Sequence, residues 1–179
     1  MIIQILSSVA IIVGCTYIGV FFGNRLSLRQ SQLGAFQSAL EILKFNILFL
    51  NLPLAEALYK VSKSQAGVVG SIFKNVSVEL SRGQTLPNGA ATSVQNAWEM
   101  SIAKERRGLN LIDEDILALS EFAARLGSGD RDDQTGNIEI TSAKLATLES
   151  EARETWKKNA KLYRGLGLLA GLLIVVLLI

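Results

Sequence analysis

Residues 125–134, Arg-Leu-Gly-Ser-Gly-Asp-Arg-Asp-Asp-Gln, place three carboxylates within four positions, directly behind two glycines. Carboxylates at that density could hold a cation, form a general acid–base pair or open a helix. A calcium loop needs a glycine at its sixth position and an acid at its twelfth. Counted from Asp130, those positions are Thr135 and Thr141, so the pattern fails. A phosphate loop needs a glycine-rich turn ending in Lys-Ser or Lys-Thr. None follows here, and three acids repel phosphate. An acid–base pair needs two carboxyl groups facing one point, whereas successive helix positions point in different directions. The helix reading accounts for every acid. Gly127 closes one helix in the left-handed conformation. Ser128 or Asp130 caps the next, its oxygen accepting backbone N–H groups that lack partners. Asp132 and Asp133 then sit in the first turn, where the helix dipole favours negative charge. Asp130, Arg131 and Gln134 remain candidate partner-binding residues.

The rest of the sequence offers little other chemistry. There is no His, and Cys15 is the single Cys. Within one chain that excludes a disulfide framework, a Cys/His zinc site and Ser–His or Cys–His nucleophiles. No cofactor is implied. A net charge of +2 over 179 residues is too small to suggest nucleic acid.

The elements that must position the acidic stretch are helices. Leu33, Phe36, Leu40, Leu43, Ile47 and Leu50 recur at 3-4-3-4-3 spacing and form one apolar stripe. It stops at Asn51-Leu52-Pro53, where Asn suits a left-handed C-terminal position and Pro the first turn of a new helix. A short helix follows, about Leu54 to Ser62, then a loop over 64–67. Val69, Ile72, Phe73, Val76 and Leu80 mark a third helix, ended by Gly83, with a polar connection to Gly89. Val94, Ala97, Trp98 and Ile102 mark a fourth, closed by Gly108. Ile116, Leu119, Phe122 and Leu126 mark a fifth, closed by Gly127. A long sixth runs from about Arg131 toward Tyr163, with a seam of Ile138, Thr141, Leu145, Leu148, Ala152, Thr155, Asn159 and Leu162. No alternating strand pattern of useful length appears. The expected fold is all-α, an antiparallel bundle of about six helices over residues 25–163. Phe36, Phe73, Trp98 and Phe122 are expected in its core.

Both ends are apolar. Ile2–Phe22 is 21 residues without a charge, about 31 Å as a helix, which matches a bilayer core. A cleaved signal peptide carries its basic residues before the apolar run, but Arg25 and Arg29 follow it. Leu166–Ile179 is wholly apolar, and with Leu162, Tyr163 and Arg164 it reaches about 27 Å, enough for a thin bilayer. A buried core helix would be expected to show a polar face, and this run has none. The expected organisation is therefore a transmembrane helix over 1–24, a cytosolic bundle over 25–163 and a second transmembrane helix over 164–179. Lys157, Lys158, Lys161 and Arg164 precede the second span as Arg25 and Arg29 follow the first. Basic residues remain on the cytoplasmic side, so both termini lie outside. Gly19 and Gly23, and Gly167 and Gly171, are spaced for close helix packing, within one chain or between chains, or reflect the ordinary use of glycine in membrane helices.

Residues 126–134, "LGSGDRDDQ", and 148–179, "LESEARETWKKNAKLYRGLGLLAGLLIVVLLI", closely resemble the stage III sporulation protein AB family of endospore-forming bacteria. So does "GNRLSLRQSQLGAFQSALEILKFNILFLNLPLAEAL", residues 23–58. The most specific parts are Leu126-Gly127 with Asp130, Arg131 and Gln134, and the Tyr163–Gly171 run. Leu52–Leu58 also looks like the G-x-P-L-x-E-A-L element of type II secretion F and type IV pilus platform proteins. The resemblance implies a secretion F-like bundle in the mother-cell membrane around the forespore, serving the channel between the two cells. It implies docking of a cytoplasmic secretion-type ATPase and assembly with other stage III sporulation membrane proteins and a forespore partner. Secretion platform proteins carry two helical domains and this chain one, which calls for a partner or a homo-oligomer. Asn51 stands where the secretion pattern has glycine, and Gly136-Asn137 where the family is expected to be more basic.

Two further classes stay open on the residues alone. A membrane-held enzyme needs a pocket with a shifted acid or base. A membrane-anchored adaptor or sensor outside sporulation needs a ligand cavity between helices.

Overall fold

The computed structural model describes residues 2–85, 93–127 and 131–178. These form six helices and no strand: α1 Ile2–Leu48, α2 Leu54–Ser64, α3 Gly67–Thr85, α4 Val94–Glu105, α5 Asp113–Arg125 and α6 Arg131–Leu178. The all-α class and the six helices of the bundle are as expected, but the ends differ. The terminal spans are not separate elements beside a six-helix bundle. Helices α1 and α6, of 47 and 48 residues, each contain one apolar end and continue without a break. Neither contains a proline, and extending a helix is far easier than nucleating a new one.

The chain divides into two compact units, Met1–Gln30 with Ser150–Ile179, and Ser31–Glu149. In the first, for much of 2–23 and 160–178 only the helical backbone is described, and among the described residues no helix is long and apolar enough to cross a membrane. Gly19, Gly23, Gly167 and Gly171 lie on helical backbone, and their surroundings are outside the described residues. The seam of α6 is buried from Ile138 to Ala152, and Leu162 is exposed.

The second unit holds the aromatic core. Phe36 of α1, Phe73 of α3, Trp98 of α4 and Phe122 of α5 are buried in a row, with ring centroids 6.2, 5.3 and 5.7 Å apart. The last two pairs meet edge to face, at 89° and 74°, the arrangement that aromatic quadrupoles favour. Leu58 and Val61 of α2 and Ile138 and Leu145 of α6 add fully buried aliphatic side chains. The Trp98 indole N–H is buried, with no acceptor among the described residues.

Local punctuation explains the boundaries. Asn51 takes a left-handed φ of 52°, and buried Asn46 holds the corner, accepting from the Leu52 N–H at 3.3 Å and donating to the Ala57 carbonyl at 3.5 Å. Because α1 stops at Leu48, Leu50 does not complete the buried stripe and is 45% exposed. Helix α2 runs to Ser64, so only Gln65 and Ala66 separate it from α3. A Cβ on Gly70 would run into the Gln65 carbonyl oxygen, so α3 crosses this turn at a distance that only glycine allows. Gly83 does not end α3, which continues to Thr85. A glycine with an ordinary φ weakens a helix by about 1 kcal/mol but does not stop it. Most of the polar connection after it, residues 86–92, lies outside the described residues.

Candidate interaction surface

The acidic stretch follows α5 and opens α6. Leu126 is buried, and its N–H donates to the Phe122 carbonyl at 3.0 Å. Gly127 has a φ of +84°, the left-handed closure expected of it. A Cβ there would lie 3.0 Å from Val94 Cγ2 and 3.3 Å from Leu54 Cδ2. The turn is therefore wedged against the first residues of α4 and α2. This contact brings together two stretches that the sequence analysis singled out separately, residues 52–58 and 125–134.

Ser128 and Asp130, the two candidate caps, lie outside the described residues, as does the side chain of Arg131. Helix α6 begins at Arg131, with Asp132 and Asp133 exposed in its first turn. Gln134 is half-buried, on the side of α6 that also carries Asn137 and Thr141. Of the candidate partner-binding residues it is the one whose side chain is described, and it sits at the edge of the core. Among the described residues, no three His, Cys, Asp or Glu side chains are grouped to hold a metal.

Asn137 carries a tie that spacing and composition do not reveal. It is 8% exposed, and its Nδ2 donates to the same Phe122 carbonyl at 3.1 Å. Two residues further on, Lys44 of α1 donates to Glu139 of α6 at 2.6 Å. That hydrogen bond is the main reason the Lys44 ammonium is held above the ordinary lysine pKa, with the Glu139 and Glu41 charges adding to it and partial desolvation opposing. Beside the turn, an open groove of about 540 Å³ lies between α2 and α3, with Pro53, Tyr59 and Val78 in its lining and Glu56 and Arg82 beside them.

This geometry offers shape and charge rather than a reaction centre. A glycine-wedged turn joins two helix starts, and exposed carboxylates flank it. The comparisons with known proteins point the same way. The family model of stage III sporulation protein AB matches residues 4–179. Stage III sporulation protein AB of Bacillus subtilis (strain 168) is 30% identical over 176 residues, covering 98% of this chain and 99% of its own. A solved structure of stage III sporulation protein AB aligns with a TM-score of 0.64 at 27% identity, over 73% of this chain and 97% of its own. The chain belongs to the stage III sporulation protein AB family.

Proposed function

We propose that this chain is a non-enzymatic membrane platform component of the mother cell–forespore channel needed for endospore formation. It docks a secretion-type ATPase and assembles with other stage III sporulation membrane proteins. The observation that carries the reading is the meeting of residues 52–58 with the α5–α6 turn at Gly127, in a chain matched to the family over residues 4–179. Sequence resemblance marked the two stretches for different reasons, and one contact surface would use both.

Both apolar ends anchor the chain in the mother-cell membrane around the forespore, with the bundle in the cytoplasm and both termini outside. Supporting this, large apolar side chains point outward from the terminal stretches: Val13, Tyr17, Leu162, Leu166, Leu169, Leu173 and Val176 are all more than half exposed. A soluble surface rarely gathers so many, whereas a lipid-facing one requires them. The basic residues at 25, 29, 157, 158, 161 and 164 support the orientation. Gly19, Gly23, Gly167 and Gly171 are the helix-packing positions through which spans associate, in one chain or between copies.

The test is calorimetry of the full chain in detergent micelles with the sporulation ATPase, alongside Arg131→Glu and Gln134→Ala, with helicity followed by circular dichroism. Docking at the turn requires binding by the wild type and weaker binding by the folded Arg131→Glu. Equal binding by all three moves the contact elsewhere on the bundle, and no binding by folded wild type rejects the docking role.

A further inference from the structure

We infer that the outward face of α1, centred on Phe45 and the adjoining Phe49, is a pairing surface for a second copy of this chain, with the two α1 helices parallel. The inference does not depend on ATPase docking; its parallel sense agrees with the membrane reading above.

Two phenylalanines lie where the fold gives them nothing to cover. Phe45 falls midway between the buried Leu43 and Ile47, and so points away from the core. It is 52% exposed and Phe49, one turn on, 71%, with ring centroids 5.2 Å apart. Leu50 beside them is also exposed. In the other direction along α1, the same face carries the exposed Ser38 and Ser31, and Gly34, where a Cβ would meet nothing within 4 Å. Single exposed apolar residues are ordinary, but paired rings on an open helix face mark an interaction site. Small residues along the rest of the face let another helix come close.

The flanks of this face identify its occupant. Against one lies α6: Lys44 donates to Glu139 at 2.6 Å, and Ser142 to Glu41 at 3.4 Å. Against the other lies α2: Gln65 donates to Ser38 at 3.2 Å, and Asn46 to the Ala57 carbonyl at 3.5 Å. The α6 flank is acidic there, because Glu41 and Glu139 are both exposed and share Lys44. The α2 flank carries Lys60, exposed between Ala57 and Gln65. Glu56 and Tyr59, with Lys63 over the tyrosine ring, turn instead to the groove beside α3. A two-fold axis along α1 sets each acidic flank on the other copy's Lys60, around the facing rings. An axis across α1 sets acid on acid and Lys60 on Lys60. An apolar centre with opposite charges on its two sides therefore matches a second copy of itself in the parallel sense. Two chains anchored in one membrane by the same ends meet in that sense too. One helix face offers less than the roughly 800 Å² per partner of a standard interface, so the pairing is weak until a shared bilayer or micelle concentrates it.

The experiment follows the full chain in detergent micelles by sedimentation equilibrium, over a range of chain-to-detergent ratios. Wild type is expected to form dimers. Phe45→Glu with Phe49→Glu should raise the dimer dissociation constant by about tenfold or more, a change of about 1.4 kcal/mol, with helicity and the urea midpoint kept. Lys60→Glu alone and Glu41→Lys alone should each weaken pairing by about threefold, and the two together should restore it. In a Cys15→Ser background, Ser38→Cys should form a disulfide between copies on mild oxidation, whereas Met100→Cys, exposed on α4, should not. Wild type that stays monomeric overturns the inference. So do dimers that survive Phe45→Glu with Phe49→Glu, which would then be held elsewhere, and equal disulfide formation at positions 38 and 100. Single charge reversals without effect overturn the parallel arrangement.

Discussion

Helix α5 is entered through one connection and left through another, the first gripped from α1 and the second from α6. At the entry, Gln32 of α1 spans the loop, donating to the Gly108 carbonyl at 2.8 Å and accepting from the Asn110 N–H at 2.8 Å. Leu109 and Leu111 are buried there, and buried Asp115 accepts from the Ile112 N–H at 3.0 Å, the carboxylate half of a capping box. Arg106 completes the loop, reaching the Leu111 carbonyl at 3.4 Å. At the exit, Asn137 provides the grip, but Asp132 and Asp133 remain exposed. Both connections present charge to the outside, through Arg106, Arg107, Asp113 and Glu114 at the first and Asp132 and Asp133 at the second. They differ in how they are held: one α1 side chain spans the first, while a left-handed glycine wedged against Val94 and Leu54 closes the second. The second is also where the two stretches marked by resemblance meet, and a partner would be sought there.

The two glycines give the largest contrast. Gly127→Ala forces a side chain into a left-handed φ, within 3.0 Å of Val94 Cγ2. It should destabilise the purified chain by about 1–3 kcal/mol in urea titration. Gly108→Ala has no such φ, and its nearest neighbour is Val68 Cγ2 at 3.2 Å. A side-chain methyl can give way, so a loss below about 1 kcal/mol is expected. Equal losses would mean that the two connections are held alike, and would remove the basis of the comparison.

Gln32→Leu comes next. It removes both hydrogen bonds of the entry clasp, for about 1–2 kcal/mol in the same titration. Binding of the sporulation ATPase should be unaffected, because the proposed docking surface lies at the α5–α6 turn. Reduced binding in a folded variant would place a partner contact at the end assigned a structural role.

Asp132→Lys with Asp133→Lys reverses that pattern. Losing two favourable dipole contacts costs about 0.3–1 kcal/mol each, and Asp133 also gives up an interaction of its own, so the urea midpoint should fall modestly. Affinity for the ATPase should change, with a salt dependence that differs from the wild type. A pair of lysines that binds normally at low salt would show that the exposed acids are only a helix start.

The contrast between the two connections also shows what the sequence could reveal. The stripe from Leu33 to Ile47, the aromatic row and the left-handed Asn51 and Gly127 were all legible, because periodicity and backbone chirality act locally. Leu50 and Gly83 were misplaced by one turn or less, since a stripe does not state where its last hydrogen bond falls. The clasps were not legible. Gln32 acts on residues 76 and 78 positions away, and Asn137 on one 15 positions back. A single polar residue has no period, and its partner is set only once the helices are packed. The acidic stretch was legible as a helix start, yet the half-buried setting of Gln134 depends on the same packing.

The smallest effect is expected at Lys44 and Glu139, which tie α1 to α6 just beyond Asn137. The pair bonds at 2.6 Å but is open to solvent, so counterions and water weaken it. The Lys44 pKa is raised in the folded chain, chiefly by the Glu139 hydrogen bond. The folded state therefore binds this proton more tightly than the unfolded state does. The stabilisation is fully present below the ordinary lysine value of 10.5 and is lost as pH rises through the raised folded value. Lys44→Met should lower the urea midpoint slightly at neutral pH, and the difference from wild type should close in strongly alkaline buffer. If the difference persists there, the lysine stem rather than its charge ties the helices.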